Sequence, residues 1–365
     1  MANFPEQEFL SAILANELLY GENAAQSPAA HFRTGAGEDP LALHCFKLLV
    51  GNPSYNNLVD IDRLLQTMTH VAAAFDLNHG RVPKIAIAVK HGNACGASVG
   101  YDAETVLMKM VDGDRRAIMG GLVMTNFAVD EALAETLITY GMAMKPGSDE
   151  PMRRLLDGVI VPSVTEGALA SMKRKGDKCR VFTNPALAQL TKDSLDTALL
   201  RRQVRGGYVL QPNYKFVLDL SKATGLVESE PTPELPEFKK ADILLAWAIC
   251  ATSTSNTITI VKNGALRGNG VGQQDRVGAA KLAIDRSRMS NELLQLKYDL
   301  DDAVAASDSF FPFPDGLEEL AKAGIKTVFT TSGSVKDKDV AARAKELGVQ
   351  LLALPDKVAR GFFNH

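Results

Sequence analysis

The chain has 365 residues, 46% of them hydrophobic and 23% charged. That is material for a sizeable core and for roughly two domains, because single cores seldom grow past about 250–300 residues. A formal charge of −3 and a pI near 6.1 offer no broad basic surface for a phosphate backbone, which argues against general nucleic-acid binding. Cysteines 45, 95, 179 and 250 are too scattered for a C-x-x-C metal site and too few for a disulfide framework; they read as reduced cytosolic thiols.

The opening MANFPEQEFLSAILANELLYG lacks a basic n-region and carries Glu6, Glu8 and Glu17, so it does not read as a secretory signal. No apolar run approaches the roughly 18 residues that span a bilayer. The expectation is a soluble cytoplasmic protein with no membrane partner. From position 84 the pattern alternates: KIAIAV, DAETVLMKMVDG, GLVMTN, VDEALAETLITYG, GVIVPS, TEGALASMKRKG and RVFT. Short β-branched runs between amphipathic segments predict βαβ units and a mainly parallel sheet. The composition then shifts to QPNYKF and the proline- and glutamate-rich ESEPTPELPEF, which suits a connection or small subdomain. Beyond it, ADILLAWAICAT predicts a buried helix, TITIVKNGALRG a hairpin turning at Asn263-Gly264, and RVGAAKLAIDRSRM a further helix. GIKTVFTTSGS, KDVAARAKELG and VQLLALP repeat the strand, helix, strand order. The fold class is therefore α/β, divided into a first lobe (1–190), a connecting subdomain (191–240) and a second lobe (241–365).

Three stretches are candidates for chemistry. KHGNACG places Lys90 and His91 where KIAIAV would end, and ligands in open α/β sheets gather at such strand ends. The plainer reading is a polar turn whose asparagine and glycines satisfy local geometry. Zinc is disfavoured: a zinc deaminase needs H-x-E followed by P-C-x-x-C, whereas Asn93 stands where the glutamate would be and Cys95 has no partner two residues on. GNGVGQQDR, from Gly268 to Arg276, is glycine-rich and precedes a helix, but it follows a hairpin and lacks both the Walker lysine and the dinucleotide spacing. SDSFFPFPDG cannot continue a helix past Pro312 and Pro314, so its phenylalanines and aspartates lie on irregular backbone. It reads either as a cradle for a flat heteroaromatic ligand or as a loop that plugs its own core.

Taken together, these stretches match a family. KHGNACG resembles the K-H-x-N-P-C-G of the AICAR transformylase domain of the bifunctional purine-biosynthesis enzyme, and LLYGENAAQ (18–26) resembles its L-R-Y-G-E-N-P-H-Q. SYNNLVD (54–60), DGVIVPSVTEGAL (157–169) and RQVRGGYVLQ (202–211) are similar to further motifs of that domain. So are TSNTITIVKNGALRGNGVGQQDRV (254–277), ASDSFFPFPDG (306–316), GSVKD (333–337) and the terminal FFNH. The matches run in family order from residue 18 to the C-terminus. The cyclohydrolase domain that precedes the transformylase has no counterpart among them, so ring closure is expected of a separate protein.

The resemblance implies formyl transfer from 10-formyltetrahydrofolate to the 5-amino group of AICAR or a related aromatic amine. It implies His91 as the base, with Lys90 and Asn256 stabilising the tetrahedral intermediate. Tyr20, Asn57, Asp157 and Arg360 would bind the acceptor; Phe310, Pro312 and Asp315 would bind the folate. The implied fold is two cytidine-deaminase-like α/β lobes without zinc, paired as a homodimer with active sites shared between chains. No metal is implied at the reacting centre, while a structural monovalent cation is compatible with the family.

The chain also departs from the family. The phosphate-binding arginine of L-R-Y-G-E-N is Leu19, and the arginine five residues from the C-terminus aligns with Gly361, beside Arg360. Arg360 or Arg33 would have to replace those contacts. Ala94, Thr254 and AIMGG (117–121) mark further changes. Two alternatives stand beside the leading reading: a formyltransferase specialised for a non-phosphorylated aryl or heteroaryl amine, and a catalytically inactive ligand-binding homologue.

Overall fold

The computed structural model describes residues 10–34, 39–227, 234–294 and 300–363. Most of the proline- and glutamate-rich stretch at 228–233 and the terminal Asn364 and His365 lie outside the described residues. An antiparallel pair, β1 (Ala12–Leu18) and β2 (Ala29–Thr34), precedes β3 (Lys47–Val50) and the long helix α1 (Tyr55–His79). Next come the hairpin β4 (Lys84–Lys90) and β5 (Asn93–Gly100), α2 (Ala103–Val111) and β6 (Leu122–Thr125). They lead to α3 (Glu131–Thr139), β7 (Gly158–Val161), α4 (Glu166–Met172) and β8 (Arg180–Thr183). A second antiparallel pair, β9 (Leu199–Val204) and β10 (Gly207–Pro212), forms its own small sheet. The same order then returns: α5 (Glu237–Ala251), the hairpin β11 (Ile258–Lys262) and β12 (Ala265–Gly270), α6 (Arg276–Leu294) and β13 (Val304–Ser307). It closes with α7 (Asp315–Lys322), β14 (Thr327–Ser332), α8 (Asp337–Leu347), β15 (Gln350–Pro355) and the short α9 (Asp356–Ala359).

The main strands form one 11-stranded sheet in the order β15-β14-β13-β11-β12-β5-β4-β6-β7-β8-β3. Both halves have one topology: a helix, a hairpin whose first strand pairs antiparallel with the next strand, and two further strands added in parallel. The halves join edge to edge where Ala265 of β12 faces Ser98 of β5. Strand period 2 separates the two faces. Ile85, Ile87 and Val89 pack with α1 and α5 on one side, while Ala86 and Ala88 pack with α2, α3 and α4 on the other. In the second half, Ile258 and Ile260 meet α6, α7 and α8. A sheet covered on both faces explains why KIAIAV is apolar throughout instead of alternating.

Helix α1 begins in a capping box, with Ser54 and Asn57 exchanging bonds across the first turn, and ends at Gly80 in the left-handed region (φ 65°). ADILLAWAICAT is the expected buried helix, enclosed from Asp242 to Ala251. The hairpin at Asn263-Gly264 is also as expected, with φ of 56° and 70°.

The mainly parallel sheet is corrected. Among the strands of the described residues, parallel pairing is confined to β6-β7-β8 and β13-β14-β15, and the centre is antiparallel. The reason lies in NACGASVG, whose small and polar residues have weak strand propensity but form β5 in the middle of the sheet. KHGN is therefore the turn of a hairpin, where βαβ reasoning predicts a loop between strand and helix.

Candidate active site

The turn after β4 contains only His91 and Gly92, closed by the pair Lys90 and Asn93. Both turn residues have positive φ, 52° and 72°, as a two-residue hairpin turn requires. Glycine adopts that conformation freely; histidine does so only when its surroundings hold it. Gly92 N–H donates to Asp60 Oδ1 (2.7 Å), and Gly92 O accepts from Arg63 Nε (3.0 Å). Arg63 is buried, donates through Nη2 to Thr252 O (2.7 Å) and stacks over the Phe363 ring at 4.4 Å.

His91 is exposed at the mouth of two hollows of 280 Å³ each. One is lined by Lys90, Asn93, Cys95, Asp114, Asn269 and Arg286, and the other by Asn56, Asp60, Arg63 and Thr254. Lys90 Nζ donates to Met119 O (2.8 Å), which leaves two of the ammonium's three protons for a ligand. Burial pushes the Cys95 thiol up to about 12, with Asp114 adding to the rise; its Sγ lies against Ala88 O, so it is a structural thiol.

Asn93 ties this turn to the second half of the molecule. Its Oδ1 accepts from Thr254 N (3.0 Å) and its Nδ2 donates to Thr254 Oγ1 (3.4 Å). Two residues on, past a cis Ser255–Asn256 peptide, the Asn256 backbone N and Nδ2 both donate to Gln273 O (3.0 and 3.1 Å). The turn that carries Lys90 and His91 is thus tied through Asn93 to the segment that carries Asn256. Asp157 lies at the start of β7 and accepts from Arg174 Nη1 (3.1 Å). Burial raises the Asp60 pKa, and Asp157 adds to the rise; Gly92 N–H, His91 and Arg63 oppose it, so Asp157, Asp60 and His91 share one electrostatic neighbourhood.

Tyr20 and Asn57 meet at the start of α1, where Tyr20 O accepts from Tyr55 N (3.0 Å) and Asn57 Oδ1 accepts from Ser54 N (2.9 Å). Part of what Asn57 can offer a ligand is already committed to the cap.

Phe310, Pro312 and Asp315 form a separate group. The aromatic loop divides its rings: Phe311 is buried, Phe310 is half-buried and Phe313 is exposed. Arg360 lies over the Phe310 ring at 5.8 Å and pairs with Asp356 (2.7 Å). Pro312 is exposed, and exposed Asp315 opens α7, accepting from Gly316 N (2.8 Å). Neither hollow beside His91 is lined by these residues. The two groups connect through buried Asp308, which pairs with Arg276 and accepts from Ser255 Oγ (2.6 Å).

No residue-type pattern singles out Asp60 and Arg63, and Asn93 and Thr254 stand out in the sequence only for what they replace. Asp60 and Arg63 stand three apart on α1, a spacing that puts both on one face and could have paired them. The glycines of GNGVG have a packing role: a Cβ at Gly268 or Gly270 would collide with the carbonyl of Ala283 or Ala279 on α6. Their place in the sequence reflects helix against strand.

A model of the AICARFT/IMPCHase bienzyme family matches residues 2–286. The chain belongs to this family. It is 31% identical over 350 residues to the bifunctional purine biosynthesis protein PurH of Anoxybacillus flavithermus, covering 96% of this chain and 60% of that protein. It is 32% identical over 358 residues to PurH of Cereibacter sphaeroides, with the same shares covered. The chain thus spans about 60% of the length of the curated relatives it matches. A dCMP deaminase from the cyanophage S-TIM5 overlaps 33% of this chain and 100% of its own at 19% identity, with a TM-score of 0.23 that decides nothing about the fold. Against the transformylase motifs, Leu19 is half exposed, while Gly361 is buried where a Cβ would collide with the Tyr214 hydroxyl. The position aligned with the family's C-terminal arginine cannot hold a side chain in this conformation.

Proposed function

We propose that this chain transfers a formyl group from 10-formyltetrahydrofolate to the 5-amino group of AICAR or a closely related aromatic amine. The observation that carries the reading is the placement of Lys90 and His91 at hollows lined from both halves of the sheet, with Asn93 tying their turn to the segment that holds Asn256, in a chain of the AICARFT/IMPCHase family. An amine conjugated to its ring is a weak nucleophile. Neutral His91 takes its proton as the nitrogen bonds to the formyl carbon. The carbonyl electrons move to oxygen, where the Lys90 ammonium and the Asn256 amide offset the charge. The intermediate collapses by breaking the bond to N10 of the folate, which leaves as tetrahydrofolate after receiving the proton from His91.

Asp157, Asn57 and Tyr20 fit the acceptor side, and Phe310, Pro312 and Asp315 the pterin side. Their separation within one chain suits a homodimer that completes each site from two copies. The repeated topology suits two deaminase-like lobes without zinc, joined by the 191–240 subdomain. Among the described residues no helix is long and apolar enough to cross a membrane; a cytoplasmic setting accords with purine synthesis. A specialised acceptor without a phosphate is the second reading, favoured by Leu19 and by the closed space at Gly361.

The test is tetrahydrofolate release from 10-formyltetrahydrofolate, measured with AICAR, its dephosphorylated nucleoside and a panel of aryl amines. Release with AICAR supports the leading reading, and release only with unphosphorylated amines supports the second. No release with any of them leaves the ligand-binding homologue.

A further inference from the structure

The duplicated topology allows one half of the sheet to serve as a control for the other. Asp60 is the sixth residue of α1 and Asp242 the sixth of α5. Each lies beneath the hairpin that follows its own helix. Asp60 accepts from Gly92 N (2.7 Å); Asp242 accepts from Gly264 N (2.5 Å) and Asn263 N (2.8 Å). The turns match residue for residue: Lys90, His91 and Gly92 correspond to Lys262, Asn263 and Gly264, with φ of 52° and 72° against 56° and 70°. One scaffold therefore recurs, a helix carboxylate receiving the amide protons of a left-handed two-residue turn. Asparagine visits that region readily, and histidine less so. The first turn carries an additional hold that reaches across the molecule, because Arg63 grips Gly92 O with Nε and Thr252 O with Nη2.

We propose that Asp60 is the positioning residue for His91. By anchoring Gly92 N–H it fixes the turn in the left-handed conformation that aims the imidazole between the two hollows, with Arg63 locking the opposite side of the same residue. The inference rests on the reading of His91 as the base for formyl transfer. It adds that the base depends on a specific carboxylate on α1, which acts on the backbone of the turn.

The experiment compares Asp60→Ala, Asp60→Asn and Asp242→Ala by steady-state kinetics and by NMR of ¹³C-labelled histidine. Asp60→Ala is expected to lower kcat by roughly tenfold to a hundredfold, the scale of a misplaced catalytic group, while the KM values stay within about threefold, since the bond removed is to the protein's own backbone. The His91 ring signal should shift or broaden. Asp60→Asn keeps an oxygen that accepts from Gly92 N and should restore kcat to within about threefold of wild type. Asp242→Ala should lower Tm while leaving kcat and the His91 signal unchanged. Wild-type kcat with an unmoved His91 signal in folded Asp60→Ala would overturn the proposal. So would equal kcat losses in Asp60→Ala and Asp242→Ala per folded molecule. If Asp60→Ala does not fold, Asp60→Ser, too short to span the same contact, takes its place. If the wild type transfers no formyl group, the functional reading falls, while the His91 signal still decides whether Asp60 positions the ring.

Discussion

The hairpins β4–β5 and β11–β12 lie side by side in the central sheet, share a turn geometry and rest on equivalent aspartates. They also share a glycine at the fourth position of the second strand, Gly96 and Gly268, where a Cβ would collide with the eighth residue of the next helix, Met110 O or Ala283 O. The difference lies in what each turn displays. The first presents His91 to two hollows; the second presents Asn263, whose carbonyl accepts from Lys109 Nζ (2.8 Å). Positions common to both halves are explained by packing and turn geometry. A position that differs while its scaffold stays the same is where function is to be sought.

The sharpest way to break this contrast is to delete both turn side chains. His91→Ala is expected to lower formyl transfer by roughly a hundredfold to ten-thousandfold, the usual contribution of a general base, with folate affinity within a few fold. Asn263→Ala should leave turnover near wild type. Steady-state kinetics on both variants check the pair, and equal losses would place the chemistry elsewhere.

Much of this was legible in the sequence, and the exceptions have physical causes. KIAIAV and ADILLAWAICAT announce themselves because a doubly covered strand and a central helix must be apolar all round. NACGASVG does not, because its place in the sheet is set by close approach to α2 at Gly96, a tertiary requirement that strand propensity does not register. At the site, Lys90 and His91 stand out through their position after a strand. Asp60 and Arg63 act on backbone atoms 32 and 29 residues away, and no local pattern reports that contact.

The core helices of the two halves also differ in charge chemistry. His70 of α1 is fully enclosed and stacks on Tyr214 at 5.4 Å. Burial lowers its pKa to about 4. An unfolded histidine titrates near 6.5, so between those values the unfolded chain binds more protons than the folded one. The His70 contribution to stability is therefore lost as pH falls from about 6.5 towards 4, by about 3 kcal/mol at 1.36 kcal/mol per pKa unit, while buried Asp62, pushed up to about 6, works in the opposite direction over much of that interval. His70→Leu should remove the first contribution and leave the second. Urea melts across the interval check it, and an unchanged slope would show that His70 is not the group responsible.

The shared glycines give a smaller and symmetrical effect. Gly96→Ala and Gly268→Ala should each destabilise by about 1–3 kcal/mol, because the new methyl meets backbone carbonyl that cannot move aside without shifting a helix. Denaturant midpoints measure both. A large loss at one with none at the other would mean that the two halves tolerate strain differently despite their common topology.

The smallest effect concerns Leu19 and Gly361, the two positions that the resemblance sets against phosphate-binding arginines. Leu19 is 50% exposed beside Tyr20, so Leu19→Arg finds room and should lower the KM for the ribonucleotide about tenfold, the worth of one charge-assisted contact. Gly361→Arg should not do so. Its Cβ would strike Tyr214 and Ala251, and Gly361 N already donates to Asp308 O (3.2 Å), so the substitution displaces the tail that braces the Ser255–Asp308 contact. Titration of both variants with AICAR and with its nucleoside separates the cases. A gain at Leu19→Arg confined to the phosphorylated acceptor would mean that this chain keeps the acceptor site and lacks one charge. No gain with either acceptor would mean that the surface around Tyr20 no longer faces a phosphate.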